Sequence, residues 1–95
     1  MKVDDFLVSL GGVIKRTRSK SMAQADFAQR VGCGVATLSR LENGQPVSAE
    51  TLFTALELLG LLDDYIAVAD EQSARLATAP VRKKRKAEDD FSNDF

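Results

Sequence analysis

Residues 22–44, MAQADFAQRVGCGVATLSRLENG, form two short amphipathic stretches around a glycine-rich turn, and their reading decides the fold. In the first, over about Gln24–Arg30, Phe27, Ala28 and Val31 recur at three- and four-residue spacing, the pattern of one inward helical face. Gly32-Cys33-Gly34 follows, and two glycines in three residues allow a tight change of chain direction. A second helix is expected over about Val35–Glu42, with Leu38 and Leu41 inward and Val35, Ala36, Ser39 and Arg40 outward. Gly44 stands where a left-handed residue commonly stops a helix. The outward face of this second helix has no core to fill and is free to meet a partner.

This run resembles the Cro/C1-type (Xre-like) helix-turn-helix family. The residues that carry the resemblance are Gln24 opening the first helix, Ala28 at its packing point, and Thr37-Leu38-Ser39-Arg40-Leu41-Glu42-Asn43-Gly44 in the second. The similarity extends over roughly residues 10–60 and implies an all-α, lambda-repressor-like domain of five helices. It further implies that the second helix of the pair lies in the major groove of DNA. By the same resemblance Arg18 pairs with Glu42; the alternative for Arg18 is a free phosphate contact. Family members often carry Ser or Thr just before the Gln, whereas Ala23 stands here and the loop Ser19 to Met22 is one residue short. Ser21 or water is therefore expected to cap that helix.

Composition bounds the remaining possibilities. Ninety-five residues, 44% of them hydrophobic, make one small domain, too small for a deep catalytic cleft beside its own core. With no histidine, no tryptophan and one cysteine, a zinc site, a disulfide framework and His-based catalysis have no residues to build on, and no cofactor is expected. Cys33 reads as a small apolar residue of the turn, with a redox switch as the alternative. No apolar run approaches the about 20 residues that span a bilayer, Met1–Asp5 does not read as a signal peptide, and a reducing cytoplasm fits best.

The net charge of −1 hides a strong asymmetry. Residues 10–45 carry Lys15, Arg16, Arg18, Lys20, Arg30 and Arg40 against Asp26 and Glu42, a balance of +4. Residues 46–78 carry Arg75 against Glu50, Glu57, Asp63, Asp64, Asp70 and Glu71, a balance of −5. The cationic half contains the two-helix motif, as phosphate binding requires, and an acidic far side repels wrong docking. The alternative is that both are ordinary solvated surfaces.

The flanking segments read as support. Phe6, Leu7, Leu10, Val13 and Ile14 predict a first helix over about Asp5–Ser19 with one apolar stripe on the core. Gly11-Gly12 weakens that helix by about 1 kcal/mol per glycine, which close packing against a neighbour would explain. Ser48 is the expected N-cap of a helix over about Ala49–Leu59, with Val47 and Leu52 placed for a hydrophobic staple, Leu52, Phe53, Leu56 and Leu59 facing the core, and Gly60 as the stop. A fifth helix over about Leu62–Ala77 carries Leu62, Tyr65, Ile66, Ala69 and Leu76, more apolar surface than a five-helix monomer needs. Tyr65, Ile66 and Ala69 are therefore candidates for a homodimer seam, the alternative being simple packing.

At Ala79-Pro80 the composition changes, dividing the chain into a domain, 1–78, and a tail, 79–95, expected to be disordered. Arg82-Lys83-Lys84-Arg85-Lys86 would wrap DNA phosphate, bind an acidic partner or merely solubilise the chain. Phe91 and Phe95, in the acidic end, have the character of anchors for a protein partner.

The functional expectation is a repressor that binds double-stranded operator DNA as a homodimer. Val35, Ala36, Thr37, Ser39 and Arg40 would face the major groove. Arg40 would donate two hydrogen bonds to a guanine edge, Val35 or Ala36 would touch a thymine methyl, and Ser39 would bond a base or phosphate. Gln24 at the opening of its helix, Asn43 and Lys20 would contact the backbone. Gly60-Leu61-Leu62-Asp63-Asp64 together with the charged tail resembles HipB-type antitoxins, encoded beside HipA-type serine/threonine kinase toxins, which implies autorepression and toxin neutralisation. A stand-alone or phage-type repressor is the alternative. A protein-interaction module without DNA binding is a third reading, opposed by the polar outer face and the +4 balance; enzyme activity has no residue support.

Overall fold

A computed structural model describes residues 1–77, and every expectation for the tail, including the basic run 82–86, Phe91 and Phe95, lies outside them. Five helices follow one another: α1 (Lys2–Ser19), α2 (Gln24–Val31), α3 (Val35–Glu42), α4 (Ala49–Leu58) and α5 (Leu62–Ala77). The expected all-α order is present, with α3 and α5 at their expected bounds. α1 begins three residues earlier than expected, with Asp4 and Asp5 in its first turn and Arg16 and Arg18 in its last, each sign set against the opposing end of the helix dipole.

The core gathers Ile14 from α1, Phe27 and Ala28 from α2, Leu38 and Leu41 from α3, and Ala55 and Leu56 from α4. Five of these side chains, Phe27, Ile14, Leu38, Leu41 and Leu56, are shut from solvent. Each contributes about 1.5–3 kcal/mol by leaving water. α3 is thus held from behind by α1 and α2, while its outer face stays open.

Two expected core residues lie elsewhere. Phe6 is 56% exposed, and Leu10 is the first buried residue of the stripe. Phe53 is half exposed, and the small side chain Ala55 holds the core position, so α4 presents a face rotated from the one expected.

The helix ends explain the short connections. α2, α3 and α4 close with the same paired bonds, in which a backbone N–H beyond the helix reaches back five residues: Cys33 to the Ala28 carbonyl, Gln45 to Arg40 and Leu61 to Leu56, at 3.0, 2.9 and 2.8 Å. Gly32 turns the chain between α2 and α3 at φ 89°, in the left-handed region. Gly34, by contrast, has ordinary extended backbone as the N-cap of α3, so only one of the two turn glycines is required by conformation. Ser48 caps α4 as expected, accepting from Thr51 N–H at 3.1 Å. Ser21 does not cap α2; its hydroxyl lies 3.4 Å from the Arg18 carbonyl as a donor, and Ala23 is the uncapped N-cap.

Candidate nucleic-acid interface

α1, the opening of α2 and the end of α3 meet at one buried polar cluster. Arg18 donates from Nε to Glu42 Oε2 at 2.5 Å and from Nη2 to Glu42 Oε1 at 3.1 Å, a two-pronged ion pair. Its Nη1 also donates to the Met22 carbonyl at 3.0 Å, holding the α1–α2 loop. Gln24 Nε2 donates to Glu42 Oε1 at 3.0 Å. Both charges are buried, Arg18 at 8% exposure and Glu42 at 6%, so they cancel one another and neither is offered to a ligand. This excludes the free phosphate contact as the role of Arg18.

Gln24 has a part that sequence reasoning missed: it is half-buried and its amide completes the cluster on Glu42. The other N–H of the amide lies outside this bond. The polar cluster therefore ties the first residue of α2 to the last residue of α3, fixing the angle between the two helices of the motif.

On α3, Ala36, Arg40 and Asn43 are exposed at helical spacing, with Val35 47% exposed beside them. Thr37 and Ser39 are half-buried and flank that row at the edge of the core. Lys15, Arg16, Lys20, Arg30 and Arg40 are exposed, and none is in a salt bridge among the described residues. Asp26 is the one exposed carboxylate of residues 10–45, so the +4 balance survives the internal pairing of Arg18 and Glu42. Cys33 is half-buried against the core, and that burial pushes its thiol up, against the opposing pull of a backbone hydrogen bond at Leu38. A thiol held protonated is a weak nucleophile, which favours the apolar reading of this residue.

This surface is a short helix, open on one side and braced by a second helix, in a half of the chain whose exposed cations form no salt bridge among the described residues. Residues 14–66, more than half of the chain, match the helix-turn-helix family. The chain belongs to the Cro/C1-type helix-turn-helix family. As a helix-turn-helix protein it is a DNA-binding transcriptional regulator, with α3 in the position of the recognition helix. No curated protein and no solved structure matches it at a significant level. No helix among the described residues is long and apolar enough to cross a membrane. No group of His, Cys, Asp or Glu among them could hold a metal ion.

The expected dimer seam is split by the structure. Tyr65 packs half-buried against the core, while Ile66 and Ala69 are exposed. With Leu62 and the displaced Phe53 they line an apolar groove of about 330 Å³ between α4 and α5. No residue of α5 is fully buried, and Leu76 is 73% exposed.

Proposed function

We propose that this helix-turn-helix regulator is a sequence-specific repressor that reads operator DNA as a homodimer. The observation that carries the reading is the exposed row Ala36, Arg40 and Asn43 with Val35 on a helix braced from behind, in a half of the chain whose exposed Lys15, Arg16, Lys20, Arg30 and Arg40 form no salt bridge among the described residues. Arg40 donates to a guanine edge, Val35 and Ala36 make apolar contact with a thymine methyl, and Ser39 and Thr37 approach from the flanks. Asn43, Lys20 and the remaining N–H of Gln24 hold phosphates, which position the helix without reading sequence. Selection of bound duplexes from a random pool tests this directly. Recovery of one motif in two inverted half-sites supports it, and recovery of unenriched DNA rejects sequence reading.

The homodimer reading is supported by the α4–α5 groove, whose apolar lining of Phe53, Leu62, Tyr65, Ile66 and Ala69 has no cover among the described residues. A two-fold axis there sets two copies of α3 about one helical turn of DNA, roughly 34 Å, apart. The antitoxin reading is a further step. Its support is the segment Gly60-Leu61-Leu62-Asp63-Asp64, with Asp63 and Asp64 exposed in the first turn of α5, and the charged tail with Phe91 and Phe95. A HipA-type kinase toxin encoded next to this chain is the partner it implies. Pull-down of the neighbouring gene product with the full chain decides between it and a stand-alone repressor.

A further inference from the structure

Gly11 and Gly44 face each other across the contact between α1 and the end of α3. A Cβ on Gly11 would overlap the Leu41 carbonyl oxygen and stand 3.0 Å from both the Glu42 carbonyl oxygen and Gly44 N. From the other side, a Cβ on Gly44 would lie 2.7 Å from Val8 Cα and 2.8 Å from Val8 Cγ2. All but the last of these neighbours are backbone atoms, so no side chain can swing aside to make room. Val8 and Gly11 are one turn apart on α1 and grip α3 where its free carbonyls emerge.

We propose that this side-chain-free seat sets the pose of α3 on DNA, making Gly11 a positioning residue for base reading although it lies behind the reading face. α1 holds α3 at two places. One is the seat; the other is the Arg18–Glu42 pair, seven residues or about 10 Å further along α1. The seat lies on Leu41, Glu42 and Gly44, so a group that wedges it open lifts the C-terminal end of α3 away from α1 while Leu38 stays anchored in the core, and the helix must tilt. Restoring an ordinary C···O separation of about 3.3 Å at Gly11 opens the seat by about 1 Å. Arg40 and Asn43, at that same end of α3, are carried with it by a similar amount. Base-edge hydrogen bonds tolerate about 0.5 Å, whereas long flexible Lys and Arg stems follow a phosphate through such a shift. The wedge should thus remove discrimination and spare non-specific binding.

The inference rests on α3 being the reading helix. Its test uses the full chain and two duplexes, one carrying the selected motif and one scrambled. Gly11→Ala is expected to reduce the ratio of the two affinities about tenfold, the worth of one good base contact, with scrambled-duplex affinity unchanged within about twofold. Gly12→Ala serves as the control, because its Cβ would meet only the movable guanidinium of Arg16, 3.2 Å away, and the ratio should hold. A merely destabilising Gly11→Ala would lower both affinities together. An unchanged ratio in Gly11→Ala overturns the proposal. Should Gly11→Ala fail to fold, Gly44→Ala replaces it, since its Cβ would wedge the same seat from the α3 side, 2.7 Å from Val8 Cα; an unchanged ratio there overturns the proposal equally. Should the unaltered chain show no preference between duplexes, the reading of α3 fails, and amide shifts in Gly11→Ala then judge the seat alone. Shifts running along Val35–Glu42 support it, and shifts confined to Leu41–Gly44 reject it.

Discussion

Arg40 and Arg18 show how one residue type takes opposite roles under different burial. Arg40 is exposed on α3 and its side chain makes no hydrogen bond or ion pair among the described residues, so its truncation leaves the fold alone and acts on DNA. Arg40→Ala is expected to cost about 1–3 kcal/mol on the preferred duplex and to relax discrimination at one base pair per half-site, as read by competition binding. An unaltered base preference would reassign Arg40 to the phosphate backbone. Arg18 is buried with Glu42, and removing either partner strands a charge. Glu42→Ala is expected to lose about 3–5 kcal/mol of stability, which calorimetry reads as a fall in Tm of more than about 10 °C. The double variant Arg18→Met with Glu42→Leu should recover much of that loss, because it removes both desolvated charges at once.

α5 is the element whose surroundings fit a single chain least well. Sixteen residues of helix rest on the core through Leu62 and Tyr65 alone, while Ile66, Val68 and Leu76 meet water. Helices of this length are marginal on their own, so a packed partner is the natural source of their order. Light scattering at micromolar concentration is expected to give about twice the 10.3 kDa chain mass. Ile66→Asp, which puts a charge into the groove, is expected to return it to monomer and to weaken operator binding while leaving the helical circular dichroism of α1–α4 intact. A monomer at every concentration, with one copy per operator, would remove the seam. α3 differs from α5 in being fully supported on its inner side, and this makes it rigid enough to present side chains at fixed positions.

For the whole molecule, charge is divided along the chain, cations in the half that holds the motif and carboxylates in the α4–α5 half. The five exposed cations of the reading half predict a steep salt response, log affinity falling with log salt by about 0.9 per phosphate neutralised. A flat response in fluorescence anisotropy would contradict DNA binding through this surface. The acidic α4–α5 half carries Glu50, Glu57, Asp63, Asp64, Asp70 and Glu71, all exposed, and so disfavours docking in the wrong orientation. Truncation after Thr78 should leave the five helices folded, because α5 ends at Ala77 and the removed segment has no periodic apolar face. Operator affinity should fall modestly for loss of Arg82, Lys83, Lys84, Arg85 and Lys86. Phe91→Ala with Phe95→Ala leaves tail charge unchanged, so weaker recovery of the neighbouring gene product by that double variant isolates the apolar anchors. Equal recovery would release them from that role.

Local chemistry made most of the helices legible. The spacing of Phe27, Ala28, Leu38 and Leu41 and the stops at Gly32, Gly44 and Gly60 depend on neighbours within a few residues, so the sequence by itself determined five helices, the motif and its outward face. What it left open depends on pairs distant in the chain. Phe6 and Phe53 satisfy helical spacing, yet whether a stripe is covered depends on where the next helix ends, and both lie outside the core. Gln24 carries a family signature for DNA, yet only the approach of Glu42, eighteen residues on, engages its amide. Gly11 and Gly12 are identical neighbours in sequence. Tertiary structure alone separates them, because a helix places consecutive residues about 100° apart, and one meets the backbone of α3 while the other meets a single arginine side chain.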